Sequence, residues 1–303
     1  MAQDDPVRPA RLAVGLVSAG RAGTSVAAAF DRVGHPVIAV SAVSDASRAR
    51  AATLLPDAVV RDPREVAERS ELLVLAVPDD VLAELVRGLA QVGAVRPGTL
   101  VAHLSGAHGH EVLEPLTTQG ALPLALHPAM TFTGTAIDLE RLDGCPWAVT
   151  APEPLRPVAE SLVVETGGEP EWVPAAQRVR YHAALCHAAN HLVTLVAQAQ
   201  DQLSAAGVVA ERRFLGPLLS AALDNALRAG DAALTGPVAR GDAGTVAAHV
   251  AALAASDAVS ADAYVALARA TALRAGASRR LTSEQVEAIL RSLQGSGPEG
   301  EAA

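Results

Sequence analysis

The chain contains no lysine: all 24 basic residues among its 303 are arginine. Arginine stays protonated and neither shuttles protons readily nor forms a Schiff base. Mechanisms that need a lysine nucleophile or a lysine acid are therefore excluded, as is a phosphate loop of the G-K-[ST] type. Aromatic residues make up only 2%, so alanine, valine and leucine must fill the interior of a chain that is half hydrophobic. Positive charge is also in deficit. A net charge of -9 argues against a nucleic-acid or anionic-membrane surface, both of which need clustered cations. The two cysteines, Cys145 and Cys186, cannot build a disulfide framework, and no apolar leader precedes the first strand, so a reducing cytoplasm is the expected setting. Long apolar runs are missing as well. The most apolar helical region, around 183–199, is interrupted by His187, Asn190, His191 and Gln198, whereas a membrane span needs about 20 mainly apolar residues.

What is present reads as two regions between polar tails at 1–10 and 294–303. Short β-branched or apolar runs, "RLAVGLV", "PVIAVSAVS", "ELLVLAVPDD", "TLVAHLSG" and "LPLALHPA", alternate with helical stretches. This order implies a doubly wound, mainly parallel α/β sheet over 11–174 with helices on both faces. Asp45 is placed to cap the second helix. From Ala175 onward no strand pattern appears. A long helix ending at Gly207, then helices near 211–229, 242–255, 259–275 and 282–293, the last capped by Thr282, form an all-α domain over 175–293.

The stretch "VGLVSAGRAG" places a near-match to the G-x-G-x-x-G turn between a strand and a helix. In such a turn the first glycine permits the bend, the second lets backbone approach a pyrophosphate, and the third lets helix and strand pack closely. Gly20 and Gly23 keep the last two roles. Ser18 replaces the first, which it can do with a negative φ. The helix N-terminus offers free N–H groups and its positive dipole end to an anion. Candidate cofactor contacts are accordingly Ser18, Gly20, Arg21, Ala22 and Gly23, with Val77 and Pro78 at the end of a neighbouring strand. The second strand ends in "SAVSDASRAR", without an acid where a ribose diol is usually held. Ser44 and Arg48 suit a 2′-phosphate instead, so NADP is expected over NAD.

Ligands in open parallel sheets collect beyond the carboxyl ends of strands. There the chain carries Pro78-Asp79-Asp80, His103, Ser105-Gly106 and His127-Pro128. Hydride transfer to a carbonyl needs a proton donor, and without lysine histidine is the natural candidate. His127 is the best placed, with Ser105 as its helper. Both histidines could equally be structural groups bonded to nearby carbonyls. On the long helix His182, Cys186 and Asn190 share one face, and Asn190 and His182 are candidates for substrate contact. Arg240, in "LTGPVARGD", could grip a carboxylate bidentately. His187 and His191 lie four apart, but no acidic third ligand accompanies them and no metal site is expected.

The motifs "SAGRAG", "LAVPDD", "HLSGA", "HPAMTF", "YHAALCHAAN" and "LTGPVARGD" together resemble Rossmann-like proteins bearing a C-terminal domain of unknown function, DUF2520, over about residues 11–275. That family is similar to the 6-phosphogluconate-dehydrogenase-like, pyrroline-carboxylate-reductase-like and ketopantoate-reductase-like group. The resemblance implies a nucleotide domain followed by a helical, dimer-forming domain. The pairing of "HLSG" with "HPAM" is also similar to prephenate dehydrogenase, which implies substrate roles for Ser105 and His127. Asn190 resembles a helix asparagine that contacts substrate in relatives. The helix lysine of the hydroxyacid dehydrogenases is missing, and Arg178, His182 and Cys186 stand in its region. The expectation is an NADP-preferring oxidoreductase of a small carboxylate-bearing carbonyl or hydroxy compound, homodimeric through the helical domain. A sensor or scaffold that kept the fold without turnover is the alternative.

Overall fold

The computed structural model describes residues 11–294, so the two expected tails lie almost wholly outside the described residues. The chain divides into two units, residues 1–188 and 189–303.

In the first unit the short apolar runs become strands and the amphipathic stretches helices: β1 (Val14–Val17), α1 (Arg21–Arg32), β2 (Val37–Val40), α2 (Asp45–Leu54), β3 (Val59–Val60), α3 (Pro63–Arg69), β4 (Leu72–Leu75), α4 (Asp79–Gln91), β5 (Leu100–His103), α5 (Glu114–Thr117), β6 (Leu122–Pro128), α6 (Ile137–Arg141), β7 (Pro146–Thr150), α7 (Arg156–Glu165) and β8 (Glu169–Trp172). They make one eight-stranded sheet of order β3-β2-β1-β4-β5-β6-β7-β8. Every pairing is parallel except β6 with β7.

Side chains alternate across a strand, and here both faces are covered. Val14, Leu16, Leu72, Val74, Leu124 and Leu126 pack with α1 and α7 on one face. Val17, Leu73, Leu75 and Val101 pack with α3, α4 and α5 on the other. Burial on both faces explains why the central strands read as continuous apolar runs rather than alternating ones. Each fully buried Leu or Val contributes roughly 1.5–3 kcal/mol. The chain order reverses direction between β1 and β4, and in open α/β sheets ligands bind outside the carboxyl ends of the strands at such a switch point.

The long helix α8 (Arg178–Ala205) begins in the first unit and continues in the second. There α9 (Glu211–Ala229), α10 (Gly236–Arg240), α11 (Ala243–Ser256), α12 (Ala258–Ala277) and α13 (Ser283–Ser292) follow. Val238, Val246, Ala268, Ala272, Ile289 and Leu293 form the shared core of α10 to α13; small alanine side chains let these helices approach closely. Thr282 and Gln285 close α13 with a reciprocal capping box, satisfying two of the N–H groups that a helix start leaves free. Among the described residues, no helix is long and apolar enough to cross a membrane.

Candidate functional site

Strand β1 delivers the chain into the glycine turn, and the turn is built differently from the expectation at one residue. Ser18 takes a positive φ of 78°, not a negative one: it adopts the left-handed conformation that a glycine would occupy at less cost. Two contacts from the end of β2 hold it there. The Ser18 N–H donates to Ser41 Oγ at 2.9 Å, and the Ala19 N–H donates to the Ser41 carbonyl at 2.9 Å.

The two glycines divide their work. A Cβ on Gly23 would lie 2.5 Å from the Ala76 methyl and 2.8 Å from the Ser18 carbonyl, so helix and strand could not close with a side chain there. A Cβ on Gly20 would meet nothing nearer than 3.9 Å; the space above it is open. Gly20 is the N-cap of α1 but offers no side-chain acceptor, and the first turn carries no acidic residue. No side chain therefore caps the leading N–H groups of α1, a kind of helix start that can receive an anion. Arg21 opens the helix on its exposed side, and Arg50 reaches from α2 to the Ala19 carbonyl at 2.6 Å. Both approach Gly134 in the loop after β6, which buried Asp138 ties down by accepting from the Thr133 and Gly134 N–H groups and from Ser25 of α1. Val77 is half-buried at the end of β4, and Pro78 is the N-cap of α4.

At the end of β2, Ser44 rather than Asp45 caps α2, its Oγ accepting from the Ser47 N–H at 3.1 Å. Arg48 folds back to pair with Asp45 at 2.8 Å and to donate to the Val43 carbonyl. Both groups assigned to a 2′-phosphate therefore already hold local partners, although Ser44 and Arg48 are themselves exposed. Between them, Val43 is 88% exposed.

A second cluster gathers beyond β4, β5 and β6. His103 is fully buried. One ring nitrogen bonds the Gly109 carbonyl at 2.9 Å, and the other accepts from the Ser105 N–H at 3.2 Å. Burial pushes its pKa down to about 3, and with both nitrogens engaged it works as a neutral structural brace. The Ser105 hydroxyl accepts from the N–H groups of Ala107 and His108, which shapes the turn after β5.

His127, at the end of β6, directs Nδ1 to the Tyr181 hydroxyl of α8 at 2.9 Å. Its ring stands edge to face with that of His182, 5.9 Å between centroids. Gly106 lies beneath both: a Cβ there would be 2.6 Å from His182 Cδ2 and 2.9 Å from His127 Nε2. Burial, assisted by the Arg178 guanidinium, pushes the His127 pKa down to about 4. Its imidazole is neutral near pH 7.

Arg178 explains how α8 reaches the sheet. It is completely buried, and its guanidinium donates to Thr150 Oγ1 at 2.9 Å and to the carbonyls of Ala125, Ala148 and Ser105 at 2.7, 3.3 and 3.4 Å. These acceptors are all neutral oxygens, and burial lowers its pKa to about 10. At that value it keeps its charge. It fastens the start of α8 across the ends of β5, β6 and β7.

The structure thus brings His127, His182 and the Ser105–Gly106 turn together. Asn190 and Arg240 belong to the second unit, where Asn190 is exposed on α8 and Arg240 ends α10 before the left-handed Gly241. Tyr181, Ser41 and Arg50 did not emerge as site residues from the sequence pattern, and Asp79 and Arg178 were marked only by their place at a strand end and on the helix, although Arg178, Tyr181 and His182 stand at the i, i+3, i+4 spacing of one helix face. No group of three or more His, Cys, Asp or Glu among the described residues could hold a metal ion.

Two family models match the chain: a Rossmann-like domain over residues 1–128 and a domain of unknown function, DUF2520, over 145–271. A search of curated proteins finds no match. Among solved structures, a Bacteroides fragilis protein provisionally named an NADP oxidoreductase is 22% identical, with a TM-score of 0.72 over 86% of this chain and 98% of its own. Protein TM1727 from Thermotoga maritima is 18% identical, with a TM-score of 0.65 over 88% and 99%. An imine reductase from Myxococcus stipitatus in complex with NADP+ is 18% identical, with a TM-score of 0.60 over 93% and 99%. At these identities the likeness establishes the fold.

Proposed function

Because this chain belongs to the Rossmann-like proteins with a C-terminal DUF2520 domain, we propose that it is an NAD(P)-dependent oxidoreductase of a small carbonyl or hydroxy compound bearing a carboxylate. The observation that carries this reading is the uncapped N-terminus of α1 beside open space at Gly20. It stands in one unit with a neutral histidine at the carboxyl ends of the neighbouring strands. The structurally similar imine reductase and a pyrroline carboxylate reductase from Plasmodium falciparum were each solved with NADP, which supports the same class of coenzyme here.

The residues fit such a group. The N–H groups of Arg21, Ala22 and Gly23 would hold the pyrophosphate, with Arg21 and Arg50 supplying positive charge at the rim. Ser44 and Arg48 would turn outward to a 2′-phosphate, which is the basis for preferring NADP over NAD. A nicotinamide coenzyme, when bound, gives or takes the hydride. His127 manages the proton: when the Tyr181 hydroxyl donates to Nδ1, Nε2 carries hydrogen and polarises a carbonyl oxygen. In the opposite direction Nδ1–H donates to the Tyr181 oxygen instead, which frees Nε2 to take the proton of a hydroxyl. Lacking lysine, the chain can do this without a titrating amine. Homodimerisation through the helical unit forms part of the proposal, supported by exposed apolar Phe214, Leu218 and Leu227 on α9.

A second reading, a nucleotide sensor without turnover, draws on the missing lysine. The test is equilibrium binding of NADPH and NADH side by side, repeated with Arg48→Ala, followed by coenzyme consumption over a panel of keto acids with wild type and His127→Ala. Tighter NADPH binding that Arg48→Ala selectively weakens, and turnover that His127→Ala abolishes, support the oxidoreductase. Binding without consumption supports the sensor, and equal losses for both coenzymes remove the 2′-phosphate assignment.

A further inference from the structure

We propose that Cys186, His182 and Asp79 form a nucleophilic thiol site that reacts reversibly with small disulfides, a chemistry separate from hydride transfer. Cys186 and His182 lie one turn apart on α8, with Sγ 3.5 Å from His182 Nε2. The other ring nitrogen, Nδ1, is 4.0 Å from Asp79 Oδ2 in the first turn of α4. The imidazole thus stands between a thiol and a carboxylate. That is the nucleophile–base–orienter arrangement of an activated thiol. Cys186 and His182 are both only partly buried, so a small reagent can reach the sulfur. The imidazole of His127, which packs edge to face on His182, is held neutral by burial with its pKa near 4, and puts no competing positive charge beside His182.

The second cysteine is a built-in contrast. Cys145 is buried, its thiol faces the Pro146 carbonyl, and desolvation raises its pKa. It has neither a base nor a path to solvent, and thiol reactivity follows both.

The exchange balances without any further reagent. Cys186 passes its proton to His182 Nε2, and Sγ attacks one sulfur of the small disulfide. A new S–S bond forms as the old one breaks, and the departing thiolate takes the proton from His182. The protein sulfur is oxidised, one reagent sulfur is reduced, and excess thiol reverses the step. An adduct at Cys186 places bulk beside the ring that packs on His127, so the same event would obstruct the candidate site.

The test uses full-length protein and oxidised glutathione as the probe, with adducts located by peptide mass mapping. One adduct is expected, on Cys186 and removed by dithiothreitol. It should form about tenfold more slowly in His182→Gln and more slowly in Asp79→Asn, with no change in Cys145→Ser. In denaturant the two cysteines should react alike, which separates activation by the fold from simple exposure. Equal labelling of both cysteines in the folded protein, or an unchanged rate in both His182→Gln and Asp79→Asn, would overturn the proposal. Coenzyme binding is not part of the readout, so the thiol site stands or falls independently of the oxidoreductase reading.

Discussion

The Tyr181 hydroxyl lies 2.9 Å from Nδ1 of His127, and the two rings meet edge to face with centroids 5.6 Å apart. A single hydrogen bond from the first turns of α8 therefore couples the strand-end histidine to Tyr181: Nε2 carries hydrogen when the hydroxyl donates and is a free acceptor when it accepts. Tyr181→Phe keeps the ring contact and removes that bond. Turnover should fall about tenfold, less than the roughly 10²–10⁴-fold of a group that itself transfers the proton, while coenzyme affinity stays within about twofold. Steady-state kinetics beside a binding titration separate the two effects.

Gly106 is the floor under His127 and His182. Gly106→Ala would bring a methyl within 2.9 Å of His127 Nε2 and closer still to His182, forcing the rings apart by several tenths of an ångström. The expected result is a loss of kcat with little change in coenzyme binding. A variant with unchanged kcat would mean that the spacing of the two rings is irrelevant to the reaction.

Ser18 occupies the left-handed region at φ 78°, a conformation that costs a side-chain-bearing residue on the order of 1 kcal/mol relative to glycine. Ser18→Gly should therefore stabilise the protein, partly offset by the greater freedom glycine gains in the unfolded chain. A Tm increase of about 1–3 °C is expected, with coenzyme affinity retained. A lower Tm together with weaker binding would instead assign the hydroxyl to the phosphate.

His103 and His127 both titrate far below the ordinary histidine value of about 6.5, at about 3 and about 4. The unfolded chain takes up these two protons as pH falls through 6.5, whereas the folded chain does not. Stability should therefore decline from about pH 6.5 down to about 4, by a few kcal/mol in order of magnitude, and be fully present above 6.5. Urea denaturation midpoints between pH 7 and 4.5 measure this. His103→Asn should be less stable at pH 7 but show a shallower acid slope.

Local signals in the sequence went a long way towards the fold. The helix at 211–229, the Thr282 cap and the alternation of apolar runs with helices each depend on neighbours a few residues apart, and each appears in the structure. Strand β3 is two exposed residues long, and β8 has the polar sequence "EPEW" at the sheet edge; neither is long or apolar enough to leave a period. The site was harder to read because its determinants are distant. The φ of Ser18 is set by a hydroxyl 23 residues away, and the partner of His127 is 54 residues on. Burial of Arg178 against backbone carbonyls leaves no pattern at all, since carbonyls carry no residue identity. The packing role of Gly23, by contrast, was legible because the strand–turn–helix frame assigns that glycine its own steric task.

Gly20→Val is the most direct probe of a pyrophosphate lying on the start of α1. Its Cβ would meet no atom closer than 3.9 Å, so the fold should persist with an unchanged Tm while the side chain fills the anion's place. Wild-type protein titrated with NADPH and NADH by calorimetry should bind at least one of them, and Gly20→Val should weaken that binding by tenfold or more, roughly 1.4 kcal/mol. No heat with either coenzyme, or equal affinity in the folded variant, would contradict a nicotinamide dinucleotide at this helix.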